Sequence, residues 1–175
     1  MWWSCLCSVS LRHGSYFVEY LVSAISLVLT CRKAIVVVLH DVQASKTLLK
    51  PAITQAPRTL DSADFVMKSL VLIDVMTPAA KLSKTGQADM YTTFQDERAT
   101  HDYTQLMKRM SEGSFSGHVE AEGPELAAGS FRGASVGCQA RYPSRKRERD
   151  AETKTDVLAA AKMLRKHMAV AILAK

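Results

Sequence analysis

Apolar and polar positions are unevenly spread along this chain. Gly14 to Cys31, GSYFVEYLVSAISLVLTC, is eighteen residues with Glu19 as its only charge, and after Arg32 and Lys33 a second apolar run follows, Ala34 to Leu39. As a helix the first run would measure about 27 Å, close to the roughly 30 Å of a bilayer's hydrocarbon. The pattern therefore predicts one continuous helix over 14–31 against lipid or a partner's apolar surface. Tyr16 and Tyr20 would lie near one interface, and Arg32 and Lys33 would form the membrane boundary at the other. Three other readings compete. Residues 1–31 resemble a secretory signal, with Arg12 as n-region and Tyr20 to Leu29 as h-region, although no small-x-small cleavage site follows. Residues 1–40, with Arg12, Arg32, Lys33 and a single acid, also suit a mitochondrial presequence. In the soluble reading a buried helix ends at Cys31 and 34–39 is a β-strand, whose β-branched density suits a sheet core.

Beyond this apolar N-terminal segment, 1–40, the pattern divides the chain into four parts. Residues 41–60 read as an extended connector containing Pro51 and Pro57. Residues 61–112 read as a helical core. Asp61 and Ser62 are N-cap candidates for a segment reaching Met76 and ended by Thr77-Pro78; its apolar residues fall all round a helical wheel, so it is buried on most sides or is partly a strand, a core element in either case. A second helix is expected from Thr93 to Glu112, where Ala99, Tyr103, Leu106, Met107 and Met110 share one arc of roughly 100° and Gly113 supplies the stop. Residues 113–140 hold six of the eight glycines and repeat Gly-Ser-Phe-x-Gly at 113 and 129. They read as a Gly-rich irregular linker from which Phe115 and Phe131 dock onto a neighbouring surface. Residues 141–175 become a basic amphipathic helix from about Asp150, with Val157, Ala160, Ala161, Leu164, Met168, Ala171 and Ile172 as its stripe and Lys162 and Lys166 facing away. The fold class expected is mainly α: the N-terminal apolar helix, membrane-spanning by length, two or three further helices and the irregular 113–140. The runner-up is a small α/β or α+β fold with a strand at 34–39.

The net charge of +6 is carried by two patches, 32–60 and 141–175, while 61–140 is acidic. Such patches attract phosphate on nucleic acid or on anionic headgroups. The anionic-surface contacts expected are Arg141, Arg145, Lys146, Arg147, Arg149, Lys162 and Lys166. Cys5, Cys7, Cys31 and Cys138 form no disulfide framework, and the five histidines show no zinc spacing, so neither metal nor cofactor is expected. The chain contains no Asn, which excludes N-glycosylation.

Catalytic motifs fail on context. Gly133-Ala-Ser-Val-Gly137 matches the G-x-S-x-G nucleophile elbow, with Asp150, Asp156 and His167 downstream in hydrolase order. Yet Glu122 to Arg132 is broken by Gly and Pro where a buried strand is needed, and little chain separates Ser135 from His167. A serine hydrolase is thus a remote alternative. Lys84-Thr85-Gly86 lacks the S-x-x-K it would assist. Glu97 and His101 read as a surface pair on the second helix. The expectation is a non-enzymatic accessory or structural subunit of a larger membrane-associated assembly, in contact with lipid, with the mitochondrial inner membrane as a location and no small-molecule substrate. The alternative is a soluble basic RNA-binding or ribosomal component of matrix, cytoplasm or nucleus, with Lys162, Arg165 and Lys166 joining Arg141 to Arg149 against phosphates.

Overall fold

A computed structural model describes residues 15–44, 51–86, 93–136 and 149–174. Six helices and one short hairpin are present among them: α1 (Ser15–Ala44), α2 (Pro51–Leu60), α3 (Ala63–Thr85), α4 (Thr93–Glu112), α5 (His118–Ala127), β1 (Ser130–Phe131), β2 (Ala134–Ser135) and α6 (Arg149–Leu173). The architecture is mainly helical, with an N-terminal apolar helix of membrane-spanning length. α3 is the central element and touches every other helix. Its all-round apolar pattern is the reason: Val66, Met67, Leu70, Val71 and Ile73 enter one buried cluster with Leu29, Val119, Leu126, Phe131 and Ala161, while Val75 joins Met107, Met110 and Ala169 in a second.

α4 has the bounds the periodicity predicts, with Met107 and Met110 buried and Glu97 and His101 exposed. Gly113 ends it at φ +80°, a conformation that costs glycine little. Elsewhere the helices run further than the pattern suggests. α1 does not stop at Cys31, because Arg32 turns into the protein; the 34–39 strand of the runner-up is absent and those residues are helical. The helical penalty of β-branched residues is small, and Ile35 to Val38 continue α1. Residues 51–60 are a helix rather than an extended link: Pro51 occupies its first position, where a missing N–H costs nothing. α3 passes through Pro78 to Thr85, with Pro78 buried. The hydroxyl of Thr77 donates to Ile73 O at 2.7 Å beside the interrupted ladder. The linker 113–140 contains α5 and the hairpin, in which Phe131 pairs with Ala134 and is itself buried, so the docking expected of that side chain holds.

α1 runs antiparallel to α3, with Arg32 against Asp61 at 2.9 Å and Glu19 against Lys84 at 4.0 Å. Val18, Val22, Ile25, Leu29, Arg32, Val36 and Leu39, at alternating spacings of four and three, are buried or half-buried. A second stripe, Phe17, Tyr20, Ala24, Leu27, Cys31, Ala34 and Val38, has the same spacing and is exposed throughout.

Candidate functional site

The polar centre of the molecule lies where α3, α5 and α6 meet. Asp74, on the apolar face of α3, has a side chain only 1% exposed, and Arg165 on α6 is 2% exposed. A carboxylate buried to that degree needs both a cation and hydrogen bonds. It has both. Asp74 Oδ2 accepts from Arg165 Nη1 at 3.0 Å and from the Val119 amide at 3.2 Å; Oδ1 accepts from the His118 amide at 2.7 Å and lies 3.0 Å from His118 Nδ1. The two amides open α5, so Asp74 caps that helix from another one. Gly117, the residue before α5, has no side chain to do so, and a Cβ there would stand 2.5 Å from Asp74 Oδ1. Asp74 therefore fills the space and bonds the donors that an ordinary N-cap side chain would use.

Glu120 completes the cluster. Its carboxylate takes both terminal nitrogens of Arg165, at 2.7 and 2.5 Å, and accepts from the Gly117 amide at 3.0 Å. Burial alone would raise its pKa; the hydrogen bonds from Arg165 and Gly117 outweigh that and leave it below the ordinary value. For Arg165, burial disfavours the charge, and the two carboxylates more than restore it. Arg165 also donates to Phe115 O at 3.1 Å and lies over the Phe115 ring, 5.1 Å from its centroid. Its Nε has no hydrogen-bond partner among the described residues.

A cavity of about 550 Å³ borders this cluster on the side of α4, lined by Asp74, Pro78, Lys81, Leu82, Arg98, Asp102, Tyr103, Leu106, Phe115 and His118 among others. A second polar contact ties α1 to the hairpin. Arg32, 3% exposed, pairs with Asp61, donates to Ser135 O at 3.5 Å and lies 5.8 Å from the Phe131 centroid, while Arg132 covers the same ring from 5.1 Å. Arg132 in turn binds Glu122 through Nε and Nη2, each at 3.0 Å.

The residues singled out from the sequence are distributed differently. Arg32 is inside the protein and Lys33 is exposed beside it, both mid-helix rather than at the end of α1. Lys162 and Lys166 are exposed on α6 as their positions predict, but Arg165, assigned with them to RNA phosphates, is buried in the ion cluster. The stripe of α6 is also rotated: Leu158, Ala161, Leu164, Arg165, Met168, Ala169 and Ile172 face inward, and Ala160 and Ala171 are exposed. Arg141, Arg145, Lys146 and Arg147 lie outside the described residues, as does the side chain of Arg149. Ser135 is on β2 of a hairpin and His167 is exposed on α6; Gly137 and the side chains of Asp150 and Asp156 are outside the described residues. Among the described residues no group of three His, Cys, Asp or Glu could hold a metal ion. The Asp74–Arg165–Glu120 cluster was missed in the sequence, where its only signal is a lone acid in Leu70-Val-Leu-Ile-Asp-Val-Met76. No family model, curated protein or solved structure matches this chain.

Proposed function

We propose that this chain is a non-enzymatic accessory subunit of a membrane-associated assembly and that the outer stripe of α1 is its membrane-contacting face. The supporting observation is that this stripe, from Phe17 to Val38, carries no charge while Tyr20 is 70%, Leu27 64% and Val38 59% exposed. Soluble proteins seldom leave so long an apolar strip uncovered. The opposite face of α1 lies along α3, whose Lys68, Lys81 and Lys84 cannot follow a helix into hydrocarbon without a cost of several kcal/mol each, on the order of 2.5–3.5 for Lys or Arg at the centre of a span. The docked helix therefore rests in the interface plane, its outer face sunk about 5–10 Å into the headgroup boundary. The basic balance of the chain favours anionic lipid. The mitochondrial inner membrane, whose cardiolipin is such a lipid, is the place proposed.

Leu27→Arg tests this reading, because Leu27 points away from the core and its replacement leaves the fold intact. In flotation with vesicles of phosphatidylcholine and cardiolipin, the wild type should rise with the lipid and the variant should remain below, with unchanged circular dichroism. Equal flotation of the two would refute the membrane face. So would a wild type that ignores vesicles but forms a dimer that the same substitution dissociates.

A further inference from the structure

The cavity between α3 and α4 carries an inference independent of α1. Its floor is apolar, built from Pro78, Leu82, Leu106 and Phe115, and its 550 Å³ falls within the roughly 300–1,000 Å³ of small-molecule sites. Two cations stand on its walls, Lys81 on α3 and Arg98 on α4, both exposed and neither in an ion pair within 4.0 Å among the described residues. The acids that face it are Asp102 and Asp74. Asp74 is already held by Arg165 and by the start of α5, so one carboxylate, Asp102, stands against the two cations. Tyr103 adds a hydroxyl with no hydrogen-bond partner among the described residues; burial pushes its pKa up, which keeps it a neutral donor. An apolar floor under a net positive wall that also offers the Tyr103 hydroxyl matches a ligand with an apolar body and one anionic head.

We propose that this cavity binds an anionic amphiphile, its chain on Pro78, Leu82, Leu106 and Phe115 and its carboxylate or phosphate monoester head between Lys81 and Arg98. The head adds to the chain an attraction to the two cations that an uncharged amphiphile lacks. The head chemistry is shared by free fatty acids and by lysophosphatidate released from membranes, and the two can be told apart by competition.

The full-length protein should enhance the fluorescence of 11-(dansylamino)undecanoic acid, and dodecanoate or lysophosphatidate should displace it; whichever competes at lower concentration names the source. Dodecanol should compete about tenfold less well, a difference of about 1.4 kcal/mol. Lys81→Gln with Arg98→Gln should weaken dodecanoate by about tenfold or more and leave dodecanol unchanged. Ala99→Trp, which places a ring in the cavity from an already helical position, should abolish both while preserving the thermal melt. The proposal fails if the dansyl acid does not bind, if dodecanol competes as well as dodecanoate, if the paired glutamine variant binds like wild type, or if a folded Ala99→Trp protein still binds.

Discussion

Replacing Arg165 by Met tests the physical account of the core most directly. The guanidinium is 2% exposed and, among the described residues, supplies the only cation within 4.0 Å of the Asp74 carboxylate apart from the tautomer-dependent His118 ring. Met fills much of the same volume, so the loss is chiefly electrostatic. Asp74 keeps its two amide donors but loses its permanent countercharge, and breaking such a buried pair costs roughly 3–5 kcal/mol. Glu120 adds little, since it can turn to water. At about 2–4 °C per kcal/mol for a chain of this size, the melting temperature should drop by about 6–20 °C. Adding Asp74→Asn should recover part of the loss: the amide oxygen still accepts from one of the two amides that open α5, and no charge is stranded. Urea unfolding followed by far-UV circular dichroism, applied to both single variants and the pair, gives the coupling. Contacting residues of this kind couple by about 0.5–3 kcal/mol. If Arg165→Met unfolds within about 0.5 kcal/mol of wild type, or if the double variant loses the sum of the two single losses, the pair does not sustain the burial of Asp74.

Two further outcomes follow from the same cluster. Because Glu120 is held below its ordinary value of 4.5, its contribution is fully present above that pH and is lost as pH falls through the lower folded value. Glu120→Gln should therefore lower stability near neutrality and flatten the acid limb of a plot of melting temperature against pH; an acid limb as steep as that of wild type would contradict this. Gly117→Ala, at φ −141°, meets no backbone strain, yet its Cβ would stand 2.5 Å from Asp74 Oδ1 and from Phe115 Cε1. It should destabilise by roughly 1–3 kcal/mol in urea unfolding, whereas a change under about 0.5 kcal/mol would mean that Asp74 is not the cap of α5.

What could be read from the sequence depended on whether one-dimensional signals agreed. In Thr93–Glu112 a single apolar arc, a polar opposite face and a terminal glycine all point to one helix, and α4 has those bounds. At Pro51, Pro57 and Pro78 they conflict, because proline is read as a break while its cost depends on where it falls. Pro51 begins a helix, and Pro78 lies in α3, where contacts on every side outweigh one missing hydrogen bond. The glycines of 113–137 misled in the opposite direction. Gly113, Gly129 and Gly133, at φ +80°, +88° and +73°, place tight turns between ordered pieces rather than loosening the segment.

The polar centre was hidden for a different reason. Asp74 between Ile73 and Val75 is a local contradiction, a charge within an apolar run, and burial physics says that such a residue needs a cation and donors. Nothing in chain order selects one cation from the twenty-three available. Arg165 presents the converse contradiction: Ala161, Arg165 and Ala169, four residues apart, lie on one inward face of α6, yet its charge assigned it to the wet side with Lys162 and Lys166. Arg32 repeats the case in α1, where it continues the Leu29 stripe although its charge suggests the end of the helix. In each instance helical position and chemistry disagree, and position wins because a carboxylate from a distant segment pairs with the cation, the buried Asp74 with Arg165 and the part-exposed Asp61 with Arg32. A charge that falls on a buried stripe is therefore better read as half of a pair than as a boundary, and the other half becomes visible only when the helices are placed.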